Sequence, residues 1–311
     1  MSLKEIKIRI NSVKSTRQIT SAMKMVASAK LRRAEDRIAG MLPYQQQLQR
    51  IVTNFLATDA TFDSPYTAQR PPRRTALVIF TSNSSLCGAY NSNVLRRLRQ
   101  LLDQREEGVE EWLLYPVGKK AEEALSKWGK AEGASARTPE EPSDNKARHG
   151  AWAVAEGSHQ RLAEKPQYAE AAQLAGELMQ RFASGEIDRV ELLYHHFKSK
   201  GVQQLVCEPF LPIDLTALRQ QSAGAALHRN YIVEPSVDEL ISALLPKMLS
   251  QQIYTVALDA NASEHAARTL AMQTATDNAN ELLQELTKQY NKTRQQAITN
   301  ELLDLVAGSM K

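Results

Sequence analysis

The chain reads as an α/β protein in which two very long terminal helices flank a central domain built on a mainly parallel sheet. Three observations predict this. A helix-start signal stands near each end, a narrow apolar seam follows each of them, and the middle of the chain switches to short apolar runs that alternate with helical segments.

The start signals are Ser2-Leu3-Lys4-Glu5 and Ser236-Val237-Asp238-Glu239, both of the form S-x-x-E. In this capping box the serine oxygen accepts an orphan amide of the first turn, and the glutamate reaches back to the cap. Helix-forming sequence runs from the first box to about Leu56 and from the second to about Val306. At 1.5 Å per residue these are rods of roughly 80 Å and roughly 105 Å. A domain of ordinary size does not bury such helices end to end, so either they pack on each other or another body wraps around them. The first helix places Ile6, Ile10 and Val13 on one face and continues the stripe through Met23, Ala27, Ala34 and Ile38. The last carries Met272, Ala275, Ala279, Leu282, Leu286 and Tyr290 at alternating short spacings, with the alanines permitting close approach. Stripes this narrow suit a coiled-coil seam. Pro43 predicts a kink or a local break in the first helix, and Pro246 a kink in the third turn of the last.

Between the helices the composition changes twice. Residues 58–74, rich in Thr, Asp, Ser, Pro and Arg and containing Pro71-Pro72, read as a linker. Residues 75–215 form the central domain. Strands are expected at Thr75–Phe80, Trp112–Tyr115, Val190–Tyr194 and Gln204–Cys207, with helices at about Asn91–Gln104, Lys119–Trp128 and Tyr168–Phe182. Such alternation implies βαβ units. The stretch 130–165, with Pro139, Pro142 and few apolar anchors, reads as a mobile surface excursion carrying a short strand near Trp152-Ala153-Val154. Residues 216–311 hold a connecting segment and the last long helix.

Composition excludes several classes of protein. The 311 residues include no apolar run long enough to span a bilayer, and MSLKEIKIRI has no apolar core of a secretory signal. With only Cys87 and Cys207, a disulfide framework is not expected and a reducing compartment is. The net charge of +4 hides an asymmetry: residues 1–50 carry eleven Lys and Arg against Glu5, Glu35 and Asp36. A helix this basic suits nucleic acid, an anionic membrane surface or an acidic protein partner.

No catalytic constellation assembles. Val117-Gly118-Lys119-Lys120 resembles the end of a phosphate loop, but Leu113 stands where the first glycine belongs and Lys120 where the magnesium hydroxyl belongs. The turn after the first strand, Thr81 to Asn91, lacks a G-x-G-x-x-G. His195 and His196 are adjacent on a strand and face opposite sides, so they do not chelate one metal. His265 has Thr269, not a second histidine, one turn on.

Three stretches together are more specific. The first comprises Ile6-Lys7-Ile8-Arg9-Ile10, Thr16-Arg17-Gln18-Ile19-Thr20, Ala22-Met23-Lys24-Met25-Val26-Ala27 and Ala29-Lys30-Leu31-Arg32-Arg33-Ala34. The second is Thr81-Ser82-Asn83-Ser84-Ser85-Leu86-Cys87-Gly88-Ala89-Tyr90-Asn91. The third is Ser263-Glu264-His265-Ala266-Ala267-Arg268, then Ala271-Met272, Ala275 to Ala279, and Ile298-Thr299-Asn300-Glu301 with Asp304 and Gly308. In these the chain resembles the gamma subunit of the F-type ATP synthase.

That resemblance implies an antiparallel coiled coil of the terminal helices beside a Rossmann-like α/β domain. It implies a non-catalytic rotor that couples proton or sodium flow to ATP synthesis or hydrolysis, with no cofactor of its own. The implied partners are the alpha and beta subunits as a hexamer, the epsilon subunit, the c ring, and the delta and peripheral-stalk subunits of the same complex. Membrane association would come only through that complex, at the cytoplasmic face of the bacterial inner membrane. Carried over residue by residue, Met23 and Lys24 would face the lever loops of beta. Arg268, Gln295, Thr299 and Glu301 would take part in coupling to the hexamer, and Tyr231 and Glu234 would belong to the foot on the c ring. The basic residues of the first helix would meet acidic loops of the surrounding subunits.

The chain departs from the family pattern where Asn83-Ser84-Ser85 replaces Asp-(Arg or Lys)-Gly, and where Gly308-Ser309 replaces Gly-Ala. Its 130–165 excursion is also longer than the pattern implies. The competing readings are a free-standing coiled-coil adaptor with an α/β head, a nucleic-acid-binding protein using the basic first helix, and a nucleotide-dependent enzyme. Nucleic-acid binding is disfavoured because the basic helix lacks the interleaved aromatics that stack on single strands.

Overall fold

The first capping box forms in full, and the serine half of the second forms. Ser2 Oγ accepts the Glu5 amide at 3.3 Å while Glu5 Oε2 accepts the Ser2 amide at 3.1 Å. Ser236 Oγ accepts the Glu239 amide at 3.3 Å. In the computed structural model, which describes residues 2–57, 64–104, 108–131, 151–155, 157–214, 233–234 and 236–309, these caps open helices α1 (Leu3–Ala57) and α6 (Val237–Ser309). Neither helix breaks at its proline: α1 is continuous through Pro43 and α6 through Pro246. A proline removes one ladder bond. Buried neighbours hold the chain helical on its far side, Leu48, Val52 and Phe55 in α1, and Leu249 and Ile253 in α6.

The remaining elements are β1 (Arg74–Phe80), α2 (Tyr90–Asp103), β2 (Glu111–Val117), α3 (Lys119–Ala131), β3 (Ala151–Val154), α4 (Gln160–Glu164), α5 (Tyr168–Ala183), β4 (Arg189–Ser199) and β5 (Val202–Leu211). A short 3-10 turn, Pro65–Thr67, capped by Ser64, precedes β1. The five strands form one sheet in the order β3-β2-β1-β4-β5. All neighbours are parallel except β4 and β5. The sheet is therefore mainly parallel, as the alternation of strands and helices implies.

Three strands exceed the lengths expected from their apolar runs. β4 and β5 extend as an antiparallel hairpin that pairs Ser199 with Val202 across Lys200-Gly201, beyond the residues the core needs. β2 runs through Pro116 because β3 ends at Val154, opposite Leu114, so no ladder bond is lost on that side.

Contacts divide the chain into two units, Met1–Ala29 with Arg268–Lys311, and Lys30–Ala267. In the larger unit, alternate strand residues serve opposite faces. Leu77, Ile79, Trp112, Leu114 and Leu193 pack with Val94 and Leu98 of α2 and Ala121 and Leu125 of α3. Ala76, Val78, Tyr115, Val190 and Leu192 pack with Leu174 and Leu178 of α5, Val52 of α1, and Ile241, Leu245, Leu249 and Ile253 of α6. Right-handed crossovers account for this. The steps β1 to β2 to β3 run in one direction across the sheet, and the return to β4 runs in the other, so its crossover helix lies on the other face.

In the smaller unit, α1 and α6 run antiparallel. Arg17 donates to Asn280 Oδ1 (3.4 Å), the Thr20 and Thr276 hydroxyls are 2.8 Å apart, and Lys24 Nζ donates to Gln273 Oε1 (2.7 Å). As one index rises the other falls in step, which is the register of an antiparallel pair. The seam is as the spacing predicts: Ile6, Ala27, Met272, Ala279 and Leu286 are buried, and Ile10, Val13, Met23, Ala275, Leu282 and Tyr290 are half-buried.

Candidate functional site

Six of the eight residues singled out from the sequence fall in the smaller unit, on α1 and α6. Met23 is half-buried on the seam. Lys24, one residue on, is bonded to Gln273, whose amide also donates to both oxygens of Asp277 (2.8 and 2.7 Å). Arg268 is half-buried and engaged within the protein. Gln295, Thr299 and Glu301 are exposed on the last turns of α6. The Thr299 hydroxyl donates to the Gln295 carbonyl at 2.9 Å, so it is satisfied within its own helix. Of the two foot residues, Glu234 is exposed in a bend just before the second capping box, and Tyr231 lies outside the described residues.

The register accounts for the exposure at the end of α6. Extended from the pairs above, it sets the start of α1 opposite Thr293, so the last turns of α6 run past the start of α1. There Ile298, Leu302, Leu303, Leu305 and Val306 lie largely in the open, Leu305 at 71% exposure. On α1, Ile8, Ile19, Met25 and Val26 are likewise exposed although the seam beside them is filled. Of these, the group from Ile298 to Val306 is clustered within a few turns of one helix, and clustered exposed apolar residues are candidate contact surface. Sequence reasoning singled out the seam and not these residues. The signal available was an apolar side chain off the seam, at Ile19, Met25 and Val26.

The larger unit adds a basic groove of about 430 Å³. Lys30, Arg33 and Arg37 line it from successive turns of α1, facing Arg161 and Lys165 of the α4 segment. Against these five cations stand Glu164 and Glu170, and Glu170 is paired with Arg161 at 3.5 Å. The charge excess of the first helix is thus gathered, over this stretch, into a concave surface suited to an acidic partner.

The middle motif folds as a structural brace. Asn83 Oδ1 accepts the Lys119 amide (3.0 Å) at the start of α3, and its Nδ2 donates to the Gln160 carbonyl (2.8 Å). The second bond needs an amide hydrogen that an aspartate does not have, so the uncharged residue here gains a tie to α4. Cys87 is buried, 3.2 Å from Asn91 Nδ2. The two histidines do face opposite ways. His195 is buried and stacks on Tyr90 at 4.5 Å, and its pKa is lowered to about 4 by burial. His196 pairs with Asp259, whose own pKa is raised by burial. Thr81 Oγ1 accepts the Ala121 amide (3.0 Å) at the strand exit that resembled a phosphate loop, so protein groups occupy the positions a phosphate would take.

The family model for ATP synthase matches residues 2–310 of this chain. The chain belongs to the ATP synthase gamma-chain family. It is 57% identical over 310 residues to the ATP synthase gamma chain of Bacteroides fragilis, covering 99% of each chain. It is 54% identical to that of Bacteroides thetaiotaomicron, over 100% of this chain and 99% of the other. The fold is similar to a chain of the Euglena gracilis mitochondrial ATP synthase in its OSCP/F1/c-ring structure, with a TM-score of 0.61, 20% identity, and coverage of 99% and 93%. A chain of the Tetrahymena thermophila central stalk and c ring matches with a TM-score of 0.52, 23% identity, and coverage of 83% and 99%. A gamma chain is the non-catalytic stalk subunit of the synthase, and the chemistry of ATP is not carried by this chain. The adaptor, nucleic-acid and enzyme readings have no support beside this. No helix among the described residues is long and apolar enough to cross a membrane.

Proposed function

We propose that this chain is the central rotor of an F-type ATP synthase and works by contact: the α1–α6 pair turns inside a hexamer of alpha and beta subunits and presents each catalytic interface with a different face in turn. A two-helix rod has no three-fold symmetry, so rotating it cycles each interface through different contacts. Contact free energies that differ between nucleotide states are a coupling between rotation and affinity. One observation carries the reading. Apolar side chains at Ile19, Met25, Val26, Leu302 and Leu305 are exposed on a helix pair whose own seam is already filled, and a surrounding sleeve is what such surface requires.

Within this reading Met23, Lys24, Arg268, Gln295, Thr299 and Glu301 belong to the coupling surface. The basic groove at Lys30, Arg33 and Arg37 takes acidic loops of the hexamer, which its charge supports. Glu234 and Tyr231 belong to the foot on the c ring, near the epsilon subunit. The delta and peripheral-stalk subunits complete the assembly, and the whole sits at the cytoplasmic face of the bacterial inner membrane, held there by the complex.

The test is co-purification followed by one substitution. Tagging this chain should recover an ATPase-active complex with about three copies each of alpha and beta per copy of the tagged chain. Arg268→Ala should then lower turnover per assembled complex more than it lowers the amount assembled. Unchanged turnover would remove Arg268 from the coupling surface, and failure to recover the hexamer would remove the rotor reading.

A further inference from the structure

In doubly wound sheets the ligand crevice lies outside the carboxyl ends of the strands, at the point where the strand order reverses. Here that point falls between β1 and β4, with β2 and β3 on one side and β4 on the other. The crevice is filled by one stretch of the chain's own α6, Asp259 to Ser263. Asp259 Oδ1 accepts the Phe197 amide (2.8 Å) and its other oxygen pairs with His196 Nδ1, both on β4. Ser263 Oγ donates to the His195 carbonyl at 2.8 Å, also on β4. The Ala260 carbonyl accepts Tyr90 Oη at 3.0 Å from α2. Asn261 Nδ2 donates to the Ala163 carbonyl at 2.9 Å on α4.

The angular spread of these bonds matters. Successive residues of a helix are rotated by about 100°. Asp259 and Ser263, one turn apart, therefore point the same way, towards β4. The Ala260 carbonyl is met by Tyr90 of α2, and Asn261, roughly 200° round from Asp259, engages α4 on nearly the opposite side. Apolar packing also holds α6 from Ile241 to Ala260, but the hydrophobic effect behind it is non-directional, so directional bonds add a separate restraint on rolling. Side-chain hydrogen bonds on opposite sides of the helix resist it directly. The Ser263 and Asn261 bonds are buried, Ser263 at 0% and Asn261 at 7% exposure, where each is stronger than in water. Four residues after Ser263 the larger unit ends, and the same helix runs on to Ser309.

We propose that Asp259, Asn261 and Ser263 are positioning residues that lock α6 against rolling on the α/β domain, so that torque reaching that domain passes into the helix instead of being lost as slip. The ligand edge of the sheet has become a grip on the shaft. This inference rests on the rotor reading above.

The experiment uses the assembled synthase in vesicles and compares Ser263→Ala, Ser263→Ala with Asn261→Leu, and Ser263→Thr. Removing a bond of this strength should lower ions pumped per ATP hydrolysed about threefold in the double variant. Angular fluctuation of a bead on the rotor should widen, while assembly and ATPase turnover stay within about twofold. Ser263→Thr keeps the hydroxyl and should restore both readouts. An unchanged pumping ratio and unchanged fluctuation in a fully assembled double variant would overturn the proposal. So would loss of assembly with Ser263→Ala alone, which would make the bond a folding requirement. A wild-type chain that does not rotate in the complex would overturn the rotor reading itself, whatever the variants do.

Discussion

Lys24 Nζ donates to Gln273 Oε1 at 2.7 Å, tying a charge on one helix of the pair to an amide on the other. The amide is held in turn by the carboxylate of Asp277. The lysine charge is thus fixed in place at the side of the seam. A double-mutant cycle of Lys24→Ala and Gln273→Ala, read as heat-induced release of the chain from the assembled complex, should show non-additivity of about 0.5–1.5 kcal/mol. Additive effects would mean that the contact does not hold the pair together.

The tip of α6 contributes exposed residues and little buried surface: Leu302, Leu303, Leu305 and Val306 are all more than half exposed. Deleting the residues after Asp304 should leave the amount of assembled complex largely intact and weaken coupling, seen as fewer ions moved per ATP. Complete loss of assembly would show instead that the tip is needed to form the complex.

Gly118 leaves β2 with φ +102°, and a Cβ there would stand 2.2 Å from the Thr81 carbonyl oxygen. That oxygen belongs to backbone whose own amide is bonded to Val117, so it has no room to yield. Gly118→Ala should destabilise the α/β domain by about 3 kcal/mol or more and reduce the complex recovered. Gly201→Ala, at a position with open space around the Cβ, should recover normal amounts and serves as the control.

His195 makes the domain acid-sensitive. Its folded pKa is lowered from 6.5 to about 4 by burial, and Nδ1 is buried without a partner. As pH falls below about 6.5 the unfolded chain takes a proton that the folded chain refuses until about pH 4. Stability is therefore full above that window and declines across it, by on the order of 3 kcal/mol at its lower end. Resistance of the chain to proteolysis in urea should fall from pH 7 to pH 5 in the wild type. His195→Phe, which keeps a ring against Tyr90, should flatten that dependence, and an identical slope in the two proteins would assign the acid sensitivity to other groups.

The two seams and both serine caps were legible in the sequence because each depends on residues a few positions apart. Ile6, Ala27, Ala279 and Leu286 report a helix face by spacing alone, and Ser2 with Glu5 makes a cap within one turn. The hairpin extension of β4 and β5 was not legible, since it continues past the apolar run that announces a strand. Nor was the brace at Asn83, whose partners Lys119 and Gln160 stand far along the chain.

The sequence by itself determined the long helices, the alternation that makes a mainly parallel sheet, and the motifs that place the chain in its family, because periodicity and local hydrogen bonding are written in neighbouring residues. Tertiary structure alone decided which apolar residues stay exposed, where the basic side chains of α1 gather into a groove, and what fills the crevice of the sheet. The last of these rests on Asp259, Asn261 and Ser263 meeting residues 62 to 98 positions away. No local pattern encodes an approach over that distance. It is fixed only when the core packs.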